Sequence, residues 1–395
     1  FLLAGIVSVS AARDYLKRFG IERSEYYALI LFSIAGMILM ATGMDLIILF
    51  LGIELMSLSF YVLAGFMRTK TSSNEAALKY FLLGAFATGF LLYGIALVYG
   101  VSGTTNLSVI KDSFGALAGR PLFLVGVGFI MIALAFKVAA APFHMWAPDV
   151  YEGAPTSVTG FMATGGKAAA FAAFLVVFVR CFEFGGTSVG TLIGIVAAIS
   201  MVVGNVTAVS QNNVKRMLAY SSVAHAGYML SGIAAGNAEG QTGIMFYVTA
   251  YLFMNIGAFS IVGMMEGENG TRLTFDDYAG LSVRRPGLAA IMTLFMFSLA
   301  GIPPLAGFFG KYYVFLAAVK ADMVWLAVIG VLTSLVSVYY YLRLVVQMYF
   351  RDGEGDWAVR PSVWALIAIG FAALMVVQLG VYPSLLLRII QGPSS

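Results

Sequence analysis

Glu54, Lys79, Lys137, Lys167, His225 and Lys311 each interrupt a strongly apolar run, as in FLGIELMSLSF around Glu54, ALAFKVAAA around Lys137 and GFFGKYYVF around Lys311. Most other charges fall in short polar connections or at the ends of apolar runs. A charge at bilayer depth costs roughly 2.5 to 3.5 kcal/mol on insertion scales and marks an ion path, a proton relay or a buried pair. An acid, several amines and an imidazole spread through one apolar chain have the chemistry of a relay, because each can take up a proton and give it back.

Each residue carries a plain alternative beside its functional reading. Glu54 lies too deep for a short side chain to reach water. It is read as the charge that holds Lys137 protonated while the two are close, against a structural salt bridge or a protonated, hydrogen-bonded acid. Lys137 combines depth with a nearby proline, and desolvation favours its uncharged amine, so it can load and release a proton. Its alternative is a cap on freed backbone carbonyls. Lys167, flanked by Gly165 and Gly166, has no acid within its own run and is either a central relay base or a buried structural lysine. His225 is an imidazole, whose unperturbed pKa of about 6.5 suits transfer near neutral pH, or else a satisfied core residue. Lys311 follows a second proline break and takes the outlet role. Lys79 lies about a turn inside its run and can snorkel to the surface. Ser221, Ser222, Tyr220, Thr164 and Tyr312 are candidate water-binding neighbours, and Arg343 with Tyr339, Tyr340 and Tyr341 reads as an interfacial anchor.

The elements that must hold these residues are transmembrane helices. With 61% hydrophobic and 11% charged residues and a mean hydropathy of +0.92, the chain is neither an ordinary soluble domain nor a nucleic-acid-binding module. The apolar stretches are helix-length and lack ten-residue alternation, which excludes a β-barrel and predicts an all-α polytopic membrane protein. They fall at roughly 25–43, 45–67, 75–100, 121–148, 154–181, 188–210, 214–236, 241–265, 286–320, 323–350 and 362–390. With a partial helix at the start, that makes about twelve spans. The lone Cys181 excludes an internal disulfide and an iron–sulfur site built on cysteine pairs, so no cofactor is expected in this chain.

Assigning Lys and Arg to alternate sides puts Arg13, Lys17, Arg18, Arg23, Arg68, Lys70, Lys215, Arg216, Arg272, Arg284, Arg285, Arg351 and Arg360 together, against Lys111, Arg120, Arg180, Lys320 and Arg388. The richer side is predicted to be cytoplasmic. The stretches 121–148 and 286–320 are too long for one straight span and contain Pro142, and Pro303 with Pro304, in their middles. Proline removes the hydrogen bond to the carbonyl four residues back, which predicts freed carbonyls at Val138, Leu299 and Ala300. Such backbone is tolerated at membrane depth only inside protein or beside a watery cavity. The breaks occupy matching places in two five-helix blocks, 25–181 and 188–350, with Glu54 and His225 in the second helix of each. An odd number of spans per block predicts inverted repeats. Residues 1–24 then form a helix end and loop, and 351–395 a loop and a last transmembrane helix.

Several segments together resemble the antiporter-like subunits of proton-pumping NADH:quinone oxidoreductase, respiratory complex I. They are FLGIELMSLSFYVLAGF from Phe50, EAALKYFLLGAFATGFLLYG from Glu75, FKVAAAPFHMWAPDVYEGAPT from Phe136, NNVKRMLAYSSVAHAGYML from Asn212 and SLAGIPPLAGFFGKYYVF from Ser298. The KYFLLGA segment, the APDVYEGAPT continuation and a lysine at 311 favour the N-type branch over the L and M types and over Mrp-type antiporters. The resemblance implies a membrane-arm proton channel without redox cofactor, further helices ahead of Phe1, membrane partners including subunits K and M, and a bacterial inner-membrane location. It makes Lys79 a modulator of the Glu54 and Lys137 pair, and sets the order Glu54 and Lys137, Lys167, His225, then Lys311. The rival functions are an Mrp-type cation/proton antiporter, for which one intramembrane carboxylate is a poor sodium site, and a structural assembly subunit with no path of its own.

Overall fold

The computed structural model describes all residues except 183, 185–186, 268–270, 354–360 and 393–395. Arg360, assigned above to the Lys/Arg-rich side, lies outside the described residues. In chain order the main helices are α1 (Leu2–Arg18), α2 (Ser24–Thr42), α3 (Leu46–Ala64), α4 (Thr71–Ser102), α5 (Pro121–Lys137), α6 (Trp146–Gly153), α7 (Thr156–Cys181) and α8 (Ser188–Val209). They continue with α9 (Val214–Ala235), α10 (Ala238–Met265), α11 (Pro286–Ala300), α12 (Ala306–Lys320), α13 (Val324–Phe350), α14 (Val363–Val381) and α15 (Pro383–Gln391). Helices α2, α3, α4, α7, α8, α10, α13 and α14 are each long and apolar enough to cross a membrane. The chain is an all-α polytopic membrane protein.

Local chemistry sets the boundaries. Pro121, Pro286 and Pro383 each open a helix, where a missing N–H costs nothing. Asp45 accepts from the Ile47 amide at 2.8 Å, Asn213 from Arg216 at 3.1 Å and Asn237 from Gly240 at 2.8 Å, satisfying amides that the first turn leaves unpaired. The stretches at 121–148 and 286–320 are interrupted as their prolines predict. The last stretch, expected as one span over 362–390, also divides. Pro383 cannot donate to the helix before it, and its ring turns Tyr382 out of helical geometry at φ −126° and ψ 62°.

Glycines let neighbouring helices touch backbone to backbone. A Cβ on Gly36 of α2 would lie 2.6 Å from the Gly52 carbonyl of α3, and one on Gly227 of α9 would lie 2.6 Å from the Ala197 carbonyl of α8. The helices differ in depth: the most apolar window of α7 is 89% buried and that of α10 is 78%, against 33% for α4 and α13. Helices α7 and α10, with α9, where all residues but Arg216 and Tyr220 are buried, therefore form the centre, and the outer helices present Phe86, Leu335 and Phe350 outward at 70%, 70% and 78% exposure. Such a surface needs hydrocarbon around it.

Candidate functional site

The first break lies between α5, which ends at Lys137, and α6, which begins at Trp146. Trp146 Nε1 donates to the Phe136 carbonyl at 2.9 Å, and the Ala141 amide donates to Ser200 Oγ at 2.8 Å. Neighbouring helices thus stitch the break, and the lysine amine is left for other work. Lys137 is 7% exposed and its Nζ donates to Ser57 Oγ of α3 at 2.7 Å. Ser57 lies one turn beyond Glu54, on the same face of α3. Glu54 Oε1 accepts from Thr88 Oγ1 of α4 at 2.7 Å, so the acid and the amine share a helix face without meeting as an ion pair among the described residues.

Lys167 occupies the centre. The turn before it, Met162–Gly166, is π-helical, a widened ladder that is common at functional positions. Its Nζ donates to the Ser222 carbonyl at 2.6 Å and to Ser222 Oγ at 2.5 Å, crossing from α7 to α9. The neighbouring Ser221 hydroxyl is hydrogen-bonded to Tyr341 of α13. Tyr341 Oη lies 3.1 Å from His225 Nε2, and Tyr247 Oη of α10 lies 2.8 Å from Nδ1. Lys167 on Ser222 and His225 on Tyr341 thus lie about one turn of α9 apart, with Tyr341 also bonded to the adjacent Ser221.

At the second break α11 ends at Gly301, whose φ of +89° only glycine adopts without strain. Lys311 Nζ donates to the Leu299 carbonyl at 3.0 Å, to the Ala300 carbonyl at 2.9 Å and to Ser334 Oγ of α13 at 2.7 Å. These are the carbonyls that Pro303 and Pro304 were expected to strip. The Tyr228 ring lies 5.1 Å from Lys311 Nζ and 5.6 Å from the His225 ring, so an aromatic separates the two.

Three of the buried lysines are thus paired with a serine hydroxyl: Lys137 with Ser57, Lys167 with Ser222, Lys311 with Ser334. An ammonium has three donors, whereas a neutral amine has two donors and a lone pair. A hydroxyl can accept from the first and donate to the second, so the same partner satisfies the nitrogen before and after proton loss. Lys311 shows this completely: as an amine it keeps both carbonyls and takes a hydrogen bond from Ser334. Sequence analysis named Ser222 only as a water-binding neighbour, and missed Ser57, Ser334 and Thr88.

Other positions differ from expectation. Lys79 does not join Glu54; its Nζ lies 3.0 Å from Asp149 and 2.7 Å from Glu75, and Asp149 and Glu152 both bind Arg216, at 2.8 and 2.7 Å. It belongs to a half-exposed ion network nine residues, about 14 Å along α4, from the threonine that holds Glu54. The tyrosines near Arg343 also split. Tyr339 faces outward at 60% exposure, but Tyr340 and Tyr341 are fully buried, donating to Asn205 and meeting His225, because consecutive helical residues point about 100° apart. Arg343 instead binds the Gln211 carbonyl and Asn212 Oδ1, each at 2.9 Å.

Lys215, assigned from sequence to the Lys/Arg-rich side, and Glu266, which drew no reading there, are buried at 0% and 1% exposure. Lys215 Nζ donates to the Ala154 carbonyl at 2.6 Å. Glu266 follows the end of α10 and accepts from Tyr15 at 2.9 Å and Thr156 at 2.5 Å, with Lys70 Nζ at 3.4 Å. Burial pushes its carboxyl up, but Lys215, Thr156, Lys70 and Tyr15 outweigh that and hold it below the usual range. Among the described residues no cluster of three His, Cys, Asp or Glu side chains could hold a metal ion.

Residues 43–337, most of the chain, match the family described as NADH:quinone oxidoreductase/Mrp antiporter, transmembrane. The chain belongs to this family. Within the NADH:quinone oxidoreductase/Mrp antiporter family, NADH-quinone oxidoreductase subunit N of Trichlorobacter lovleyi is 51% identical over 99% of this chain and 81% of its own length. Subunit N 1 of Chloroherpeton thalassium is 48% identical over 99% and 82%. Among solved structures, a chain of respiratory complex I from Thermus thermophilus superposes with a TM-score of 0.82 at 38% identity, covering 98% of this chain and 85% of that one. A chain of the Mrp complex from Dietzia has a TM-score of 0.85 at 23% identity over 98% and 80%, a likeness of fold.

Proposed function

We propose that this chain is a proton-translocating subunit of the N type in the membrane arm of NADH:quinone oxidoreductase, driven by redox chemistry in other subunits. The relatives of that name support the subunit type. The Mrp alternative rests on fold likeness at lower identity. The proposed order runs from Glu54 and Lys137 through Lys167 and His225 to Lys311, with Lys79 at the rim as an ion-paired neighbour. No redox cofactor is assigned to the chain. Blocks 25–181 and 188–350 are taken as inverted copies, a reading supported by the proline break in the fourth helical position of each. The finer placement is in a bacterial inner membrane, with the Lys/Arg-rich side cytoplasmic and subunits K and M as neighbours.

The observation that carries the reading is the placement of Lys167 on Ser222, one turn of α9 from His225, with Tyr341 bonded both to His225 and to the adjacent Ser221. A structural lysine needs only acceptors. This one faces a hydroxyl that can reverse, beside a second hydroxyl already bonded towards an imidazole. The test is Lys167→Ala in the assembled complex, reconstituted in liposomes, with quinone reduction and acidification measured together. Coupled proton transport should be lost while the complex still assembles; full transport would remove the central lysine from the path.

A further inference from the structure

Between His225 and Lys311 runs a row of polar side chains that the proposed order does not use. Tyr341 Oη lies 3.1 Å from His225 Nε2, and the preceding residue, Tyr340, has its ring 4.5 Å away and its hydroxyl within hydrogen-bonding reach of the Tyr341 hydroxyl. Tyr340 Oη donates to Asn205 Oδ1 of α8 at 3.0 Å, and Asn205 Nδ2 donates to Tyr228 Oη of α9 at 2.9 Å. The Tyr228 hydroxyl faces Thr333 and Ser334 of α13, and Ser334 Oγ accepts from Lys311 Nζ at 2.7 Å. Tyr340, Tyr341, Asn205 and Tyr228 are fully buried, so the row passes round the Tyr228 ring inside the protein.

One amide fixes the direction of this row. Asn205 Nδ2 also donates to the Met201 carbonyl at 2.7 Å, and a carbonyl only accepts, so this atom is the nitrogen and both of its protons are in use. Tyr340 must then donate to Oδ1, and Tyr228 must accept from Nδ2 and keep its own proton for α13. Acceptors await it there: Thr333 Oγ1 uses its proton on the Ile329 and Gly330 carbonyls, at 2.7 and 3.2 Å, and Ser334 Oγ holds the lysine. Hydroxyls on either side of Asn205 can both take and give a proton. The amide cannot, because its nitrogen has no free lone pair and its oxygen no proton.

We propose that Asn205 is an insulating and positioning residue: it holds the Tyr228 hydroxyl as a donor towards α13 and stops protons from running along the row between His225 and Lys311. The inference rests on the proton-translocating reading above, in which transfer between these two groups must wait for the driven step. A carboxylic acid in place of the amide closes the gap. The oxygen that replaces Nδ2 faces the Met201 carbonyl and therefore carries the proton. As the other oxygen receives a proton from Tyr340, this one releases its own to Tyr228 Oη, and the Tyr228 proton moves on to the Ser334 oxygen; the reverse sequence carries a proton back.

The experiment measures protons moved per quinone reduced by the whole complex in liposomes, with quinone reduction followed separately with and without an uncoupler. Asn205→Asp should assemble and reduce quinone, but its protons per quinone should fall roughly tenfold, and the uncoupler should no longer speed quinone reduction. Adding Tyr340→Phe to Asn205→Asp removes the hydroxyl that feeds the introduced carboxyl and should bring both readouts back to within about twofold of the parent. Asn205→Leu places nothing there that can carry a proton and leaves Tyr228 unheld, so protons per quinone should stay at the parent value while the rate falls a few-fold. An assembled Asn205→Asp complex with parent-like coupling overturns the inference, as does a loss of coupling that Tyr340→Phe does not reverse. So does a fall in protons per quinone in Asn205→Leu, the variant that decides the matter if Asn205→Asp does not assemble. Failure of both to assemble overturns it too, since that is the behaviour of a structural clamp. A Lys167→Ala complex serves as reference: if it transports normally, the path itself is wrong, whereas a dead Lys167→Ala beside a fully coupled Asn205→Asp removes only the role of Asn205.

Discussion

The two helix breaks use the same residue types for different ends. At the second, Lys311 closes the wound that Pro303 and Pro304 make, with its amine on the carbonyls of Leu299 and Ala300. At the first, Trp146 and Ser200 do the stitching, and Lys137 turns away to Ser57, a turn from Glu54. A lysine beside a proline is therefore not one device. Lys311 is bound into the backbone of its break, whereas Lys137 is released from that duty and reaches Ser57 on the face of α3 that also carries Glu54.

The largest effect that separates them is on assembly. Lys311→Ala leaves two buried carbonyls and a serine without their common partner, at about 1–3 kcal/mol for each unsatisfied group. Intact complex on a native gel and the unfolding temperature in detergent should both fall, along with transport. Lys137→Ala should lower transport while leaving assembly near normal, since it orphans only the Ser57 hydroxyl, which still donates to the Ile53 carbonyl at 2.6 Å. Equal assembly of the two variants would erase the contrast.

The next effect lies between the breaks. Ser222→Ala is almost isosteric and keeps the Ser222 carbonyl bond to Lys167, so a packing role predicts no change. Loss of the reversible hydroxyl predicts transport lowered roughly tenfold with normal assembly, as does loss of a positioned proton-transfer partner elsewhere. Glu54→Gln should cost less, a few-fold in transport, because it keeps the Thr88 hydrogen bond and withdraws only the charge that favours protonated Lys137; stopped-flow acidification would resolve it. The smallest effect concerns the rim rather than either break. Glu266 has its carboxyl held low in the folded protein, so its contribution to stability is full above the unfolded value and is lost as pH falls through the folded one. Unfolding temperature should therefore drop below about pH 4.5, and Glu266→Gln should flatten that part of the profile.

What was legible from sequence follows the physics that sequence carries. Charges in apolar runs are conspicuous, and Pro142, Pro303 and Pro304 dictate broken hydrogen bonds whatever surrounds them, down to which carbonyls Lys311 would find. Pro383 obeyed the same rule and was overlooked because its stretch had a plausible length without a break. Ser57 and Ser334 were invisible because serine is ordinary in a membrane helix, and only the approach of a lysine from another helix gives it a task. Lys215 was misread, and Glu266 passed over, for the opposite reason. They stand at helix ends, where charge normally means solvent, and their burial comes from the packing of α1, α7 and α9 over them.

The central claim is that the buried amines carry protons rather than merely fix helices, and Lys137→Arg tests it most directly. A guanidinium keeps the positive charge and the donors but does not give up its proton at accessible pH. In an assembled complex that reduces quinone, measured by acidification of liposomes, this variant should fail to transport protons even though its charge is intact. Full transport by Lys137→Arg would contradict the account and leave Lys137 as a structural cation.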